Sequence, residues 1–377
     1  MIVVHDYGSD ILGVLGGHER FVRLLCDAIS KHYGGDNDVK ILVQHVGRDY
    51  RNCNVFYVGV PSIILARRFA VPIKLSRLVR FVRLGDVVHV HSPTNPFSFL
   101  ALLIAKLIGK PIVCTVLCCL ADVFHHRLLM RFLSPLTVFM ETLAILLADV
   151  VHVENLRDYV LVWRVLGGRK RIVYVEPWLL SSTILSCQSR SASKGKRRGF
   201  LVLYLGRVDY AKGVHLLIEA LKYLPSKVKL VVAGPVQDYV YLVRLRELVE
   251  RFGLKDRVYF VGSVDEEFKH VLLCSCDVVV VPSISDIVEA YSIVATEAWL
   301  YQKPVVAFPV GALRYRVKNG VDGVIAERVC PKALARAILR ALELGRVEKK
   351  VWSFVTVKIF LVLYRQLISR SANLGKG

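Results

Sequence analysis

Two basic residues five positions apart, Arg207 and Lys212, sit in the stretch GRVDYAKG, residues 206–213. An apolar run, FLVLYL, precedes it and VHLLIEALKYL follows. That pattern predicts a buried strand giving way to a helix through a turn with glycine at both ends. In an open α/β sheet, ligands sit outside the carboxyl ends of the strands, where backbone N–H groups and a helix dipole favour anions. Gly206 lets the backbone approach closely. Arg207 adds a bidentate fork and Lys212 a point charge. The chemistry of such a place is diphosphate binding, and a basic surface turn is the plainer alternative. It is not a Walker loop, because GxxxxGK[ST] is absent.

A second constellation lies in residues 277–310. The run DVVVVPS predicts a strand ending near Pro282, then a polar loop with Glu289, then a helix from about Tyr291 carrying Glu297. Two carboxylates at this spacing can face one crevice and accept paired hydrogen bonds from the hydroxyls of a sugar and a ribose. The N–H groups of Tyr291, Ser292 and Ile293 open that helix and are suited to a phosphate. The plainer alternative is one glutamate in a loop and another on a helix face. His89 and His91, two apart on a strand, point to one face. Packed or hydrogen-bonded histidines are preferred there to a metal pair, since no third ligand is in view, and His91 at the strand end is a candidate for the acceptor side. His125 and His126 read as solvated. No GxSxG elbow is present. Nine cysteines without paired CxxC units argue against structural zinc and for reduced thiols.

The elements that must position these residues alternate regularly. In the first half, strands are expected at MIVV, KILVQHV, DVVHVH, PIVCTVL, ADVVHVE and RIVYVEP, with helices over 18–30, 97–109 and 127–147. Residues 181–199, rich in Ser, Arg and Lys, read as a linker. Alternation resumes from 200, with strands at FLVLYLG, KVKLVVAG, DRVYFVG, DVVVVPS and KPVVAFP. Continuous Val and Ile runs argue for parallel sheets covered on both faces. The expected organisation is an N-terminal Rossmann-like domain over 1–180, the linker, and a second over 200–345. Helices follow over 346–377, with docking on the first domain as one option. A chain of 377 residues suits two such cores. Net charge is +21, which favours anionic partners. No zinc-finger, basic-heptad or RNP-type pattern points to nucleic acid. Residues 97–120 and 128–151 are too interrupted by charge and proline to span a bilayer, and no secretory signal is seen.

Taken together, GRVDYAKGVHLLIEAL, LVVAGP, VYFVGSV, CDVVVVPS, EAYSIVATEAW and KPVVAFPVGALRYRVKNGVDG resemble the retaining GT-B glycosyltransferases of family GT4. The resemblance covers residues 200–343 and reaches more loosely into the first half through LGGHERFV, DVVHVHSP and ADVVHVENLRDYV. It implies two doubly wound Rossmann-like α/β domains facing across a cleft. It also implies transfer of a sugar from a nucleotide diphosphate sugar with retention of anomeric configuration; basic side chains can serve the diphosphate without a metal ion, and no cofactor is expected. On it, Arg207 and Lys212 bind the donor diphosphate, Glu289 meets the donor sugar and Glu297 the ribose. Val264 meets the base, and Gly16 and Gly17 approach the phosphates from the first domain, where glycines also permit an ordinary turn. The chain departs from the family pattern in four places. Leu117, Cys118 and Cys119 stand where a His is usual, Pro177 and Trp178 replace Asn-Gly, Tyr291 and Ser292 replace Phe-Gly, and Ala312 replaces the second glycine of a pair.

The basic segment LARRFAVPIKLSRLVRFVRLG, 65–85, suits an anionic lipid surface if it is partly helical. The expected acceptor is accordingly a glycan or lipid-linked sugar at the cytoplasmic face of the membrane; core or dimer packing of these helices is the alternative. A catalytically silent nucleotide-sugar-binding subunit is the rival reading. A nicotinamide oxidoreductase would need a GxGxxG turn that GVLGG, 13–17, does not supply.

Overall fold

The computed structural model describes residues 3–7, 17–33, 39–43, 49–52, 55–66, 69–91, 93–116, 128–168, 171–175, 199–286, 289, 291–348 and 353–374. The chain divides into two compact units, Met1–Leu179 with Trp352–Gly377, and Leu180–Val351. The linker expected over 181–199 lies, save for Gly199, outside the described residues.

In chain order the first unit comprises β1 (Val3–Tyr7), α1 (Gly17–Tyr33), β2 (Val39–Val43), β3 (Tyr50–Asn52), β4 (Val55–Gly59), β5 (Ser62–Ala66), β6 (Phe69–Pro72), α2 (Leu75–Leu84), β7 (Val87–His91), α3 (Pro96–Leu107), β8 (Ile112–Val116), α4 (Leu128–Leu147), β9 (Val150–Val153), α5 (Leu156–Leu166) and β10 (Arg171–Tyr174). Eight strands form one sheet, ordered β10-β9-β8-β7-β1-β2-β4-β3. All pairings are parallel except that of the edge strand β3 with β4. β7, β8 and β9 are buried along their whole length, as a sheet covered on both faces requires. Helix starts follow local chemistry: Asn95 accepts from the Phe97 N–H ahead of Pro96, and Asn155 accepts from the Asp158 N–H. The segment 65–85 is a hairpin strand followed by a helix. β5 and β6 pair antiparallel, and α2 begins only at Leu75, after Pro72.

The second unit comprises β11 (Phe200–Leu205), α6 (Val214–Ala220), β12 (Val228–Ala233), α7 (Tyr239–Arg251), β13 (Val258–Gly262), α8 (Glu266–Ser275), β14 (Val278–Val281), α9 (Ile293–Leu300), β15 (Val305–Ala307), α10 (Leu313–Arg316), β16 (Gly323–Ile325) and α11 (Pro331–Leu344). Its sheet is wholly parallel, ordered β13-β12-β11-β14-β15-β16. The order reverses between β11 and β14, which makes the ends of those two strands the topological switch point. The last helix, α12 (Ser353–Leu374), belongs to the first unit and packs on α1 and β7.

Cys26, Cys114, Cys276 and Cys330 are reduced, outside any disulfide. Cys274 is disulfide-bonded, which corrects the expectation of reduced cysteines at that position. No described helix is long and apolar enough to cross a membrane.

Candidate functional site at the switch point of the second unit

The loop leaving β11 is pressed against its neighbours by glycines. A Cβ on Gly234 would lie 1.9 Å from the Gly206 carbonyl oxygen, and one on Gly213 would lie 2.0 Å from that of Pro282. Gly213 also has φ of +67°, which glycine alone adopts freely. These approaches let three loops knit together. The Gln237 N–H donates to the Val208 carbonyl (3.3 Å), and the Ile284 N–H donates to the Ala211 carbonyl (3.0 Å). Inside the loop, Tyr210–Lys212 form a single 3-10 turn capped by Asp209, whose carboxylate accepts from the Lys212 N–H at 3.2 Å. The buried Tyr204 hydroxyl donates to the Arg207 carbonyl at 2.5 Å. Burial, with Asp209 and Glu289 adding to it, pushes that phenol well above its ordinary pKa, so it stays a donor.

The outcome is a close charge cluster. Lys212 Nζ lies 2.5 Å from Glu289 Oε1, and Ser283 Oγ donates to the same oxygen at 2.5 Å. Glu289 is buried, whereas Lys212 keeps 16% of its side chain exposed. Arg207 is steadied by Gln237 Oε1 at 2.7 Å and lies 3.9 Å from Asp209. Lys212 and Glu289, read from separate motifs, thus meet directly, with Arg207 in the same loop as Lys212.

The remaining candidates fall as follows. Gly206 follows β11 with φ of +146°. Val264 is half-buried between β13 and α8. Tyr291 and Ser292 precede Ile293, the first residue of α9, and Ser292 adopts φ of +66°. Glu297 is buried and bonded at 2.9 Å to Lys269, which also pairs with Glu266. Gly17 opens α1 in the first unit, while Gly16 lies outside the described residues, as do Leu117, Cys118, Cys119, His125, His126, Pro177 and Trp178.

His91 ends β7, buried, with its ring stacked 4.1 Å from that of His89. His89 Nδ1 meets the Tyr364 hydroxyl at 2.6 Å and Nε2 meets Thr115 Oγ1 at 2.6 Å. Thr115 continues the chain to His152 Nδ1, whose ring reaches the Val175 carbonyl through Nε2. Among the described residues, no group of three or more His, Cys, Asp or Glu is placed to hold a metal ion.

Sequence reading missed Ser283, Gln237, Lys269 and Arg316. Ser283 had a usable signal, being the first polar residue beyond the strand DVVVVP. The other three act across 20 to 30 positions, where no local periodicity marks them.

Residues 188–352 match the family model described as glycosyl transferases group 1. A D-inositol 3-phosphate glycosyltransferase of Xylanimonas cellulosilytica is 38% identical over 136 residues, 36% of this chain. The matched stretch spans 32% of that relative's length. The D-rhamnosyltransferase WbpZ of Pseudomonas aeruginosa is 27% identical over 350 residues, covering 90% of this chain and 86% of its own. Among solved structures, sucrose-phosphate synthase from Thermosynechococcus elongatus superposes with a TM-score of 0.72 at 19% identity, covering 98% of this chain and 99% of that one. Anabaena HepE in complex with UDP and glucose superposes at 0.66 and 17% identity, covering 100% and 99%. Residues 188–352 thus carry the pattern of the glycosyl transferases group 1 model, and the two Rossmann-like units share the GT-B fold of these solved structures.

Proposed function

We propose that this chain transfers a sugar from a nucleoside diphosphate sugar to an acceptor with retention of anomeric configuration, and without a metal ion. The observation that carries the reading is Lys212 held against buried Glu289 at the switch point of a parallel sheet. In the reaction, the bond between the anomeric carbon and the phosphate oxygen breaks, and negative charge grows on the leaving diphosphate. Arg207 and Lys212 stabilise that charge more in the transition state than in the ground state. Glu289 orients the donor sugar through its hydroxyls, and Glu297 with Lys269 beside it receives the ribose. The acceptor oxygen attacks on the face the diphosphate leaves, and its proton passes to the departing phosphate oxygen. The second unit is the donor side and the first unit the acceptor side; within the first unit His91 serves the acceptor, while Gly16 and Gly17 are assigned to the donor phosphates.

The acceptor in this reading is a lipid-linked sugar at the cytoplasmic membrane face. Support comes from the surface around α2. Ile63, Ile73, Leu75 and Leu84 are exposed there beside the exposed Lys74, Arg80 and Arg83, a mixture suited to anionic lipid. Incubation with a panel of nucleotide sugars and anionic-lipid-linked acceptors tests the whole reading. Turnover that survives a chelator, and a product retaining the donor's anomeric configuration by NMR, are expected. Inversion, dependence on an added divalent ion, or hydrolysis and transfer absent with every donor would each remove the corresponding part.

A further inference from the structure

Ser292 is one of two non-glycine residues with positive φ among those described, and it opens α9 without a side-chain cap. A serine in the left-handed region is strained, and such strain persists only where surroundings hold it. The holder here is Arg316, 24 residues later at the end of α10. Its Nη1 donates to the carbonyl oxygens of Tyr291 (2.6 Å) and Ser292 (3.0 Å), and its Nη2 to Thr296 Oγ1 (2.9 Å). The guanidinium carbon lies 3.6 Å from the Tyr291 ring centroid and 5.2 Å from that of Trp299. Thr296 Oγ1 in turn donates to the Tyr291 hydroxyl at 3.1 Å. The other end of α10 grips the start of the same loop, since the Ala312 N–H donates to the Glu289 carbonyl at 2.8 Å. One short helix therefore holds Glu289 from one end and Tyr291 and Ser292 from the other.

We propose that Arg316 is a positioning residue for the donor diphosphate: its fork and its stacking on Tyr291 hold the left-handed Ser292 turn that aims the N–H groups opening α9. This rests on the donor-site reading above. A lysine cannot replace it in full, because one ammonium does not reproduce a planar fork that bonds two carbonyls and a hydroxyl while stacking on a ring. Glycine at 292 would adopt the same backbone without strain and so lessen the need for the clamp.

The test is calorimetric titration of UDP, GDP and ADP into the full chain and into Arg316→Met, Arg316→Lys and the double variant Arg316→Met/Ser292→Gly, with melting curves alongside. The diphosphate bound most tightly by the unaltered chain should bind at least about 10-fold more weakly to Arg316→Met and about threefold more weakly to Arg316→Lys. Ser292→Gly should recover most of the loss. A merely structural arginine would lower the melting temperature and leave the affinity of the folded fraction unchanged. That result, or a loss that Ser292→Gly fails to relieve, overturns the proposal. If Arg316→Met does not fold, unchanged affinity in Arg316→Lys overturns it equally. Binding of none of the three diphosphates to the unaltered chain removes the donor reading itself, and this inference with it.

Discussion

The two sheets share the strand order around their switch points but use it differently. In the second unit, β11 and β14 flank the switch point; in the first, β1 and β7 hold the equivalent places. β14 reads VVVV and is buried throughout, with its chemistry beyond the strand end, at Ser283 and Glu289. β7 reads VVHVH and carries polar groups inside the strand, where His89 links β7 to Thr115 on β8, then to His152 on β9, and to Tyr364 on α12. Charge placed beyond a strand end can meet a ligand without being buried twice. Polar groups inside a strand must find partners in the protein, since an unsatisfied buried group costs about 1–3 kcal/mol. The second unit thus gathers charge beyond its strand ends, and the first uses its polar chain to fasten a helix that arrives from the far end of the sequence.

The largest effect that sharpens this contrast comes from Lys212→Ala. Turnover with the best donor should fall about 10²–10³-fold, the range for removing one preorganised charge-stabilising group. Because the change leaves Glu289 buried beside only Ser283 among its described partners, Glu289→Gln is the companion variant. It should lose turnover while melting near the parent. Full activity in Lys212→Ala would end the assignment. Gly213→Ala comes next. Its Cβ meets the Pro282 carbonyl at 2.0 Å and its φ is +67°, so the Lys212 loop must shift. A displacement near 1 Å lowers turnover by up to about 10²-fold, accompanied by a stability loss of about 1–3 kcal/mol. Kinetics that match the parent would show that the loop's close approach does not position Lys212.

In the first unit the expected effect lies on stability. Tyr364→Phe removes the hydroxyl 2.6 Å from His89 Nδ1 and should lower the unfolding free energy by about 1–2 kcal/mol in denaturant titration. Turnover per folded molecule should stay unchanged. A variant as stable as the parent but slower in transfer would blur the division between the two regions, because the histidine chain would then serve the reaction.

How far these features could be read beforehand follows from their range in the chain. The buried runs DVVVVPS and FLVLYL declared their strands, since parallel strands covered on both faces are continuous in Val and Leu. Glycine, Arg207 and Lys212 stood within one turn, so the basic loop was visible as a unit. The Lys212–Glu289 contact was implied only by joining two motifs 77 positions apart. Tyr364 could not be matched to His89, because a hydrogen bond across 275 positions leaves no local pattern. Arg316 was hidden for a similar reason. It lies in RYRVKNG, where three neighbouring basic residues, Arg314, Arg316 and Lys318, look alike in sequence. Arg316 is buried, while Arg314 and Lys318 are exposed. The segment 65–85 was read by its charge, and its hairpin was obscured because β5 and β6 satisfy each other's backbone outside the main sheet.

The smallest effect tests whether titration, too, separates the regions. His215 lies just past the Lys212 loop, its ring stacked on Tyr210 at 4.8 Å. The Tyr241 hydroxyl accepts from the His215 backbone N–H at 3.1 Å, so its own proton is directed to His215 Nδ1 at 2.7 Å. That geometry needs Nδ1 unprotonated, and burial likewise lowers the imidazole below its ordinary value of 6.5. Above pH 6.5 the ring is neutral in both folded and unfolded chains, and the full stabilisation is present. As pH falls through 6.5 the unfolded chain takes up the proton first, and stability declines until the folded ring is protonated too. The ring is partly solvated, so the decline is small. Melting the parent and His215→Asn, which keeps an acceptor near Nδ1, at pH 7.5 and pH 5.5 isolates it. The parent should lose more on acidification than the variant. Equal losses would mean that this tyrosine-bound ring does not titrate against the fold.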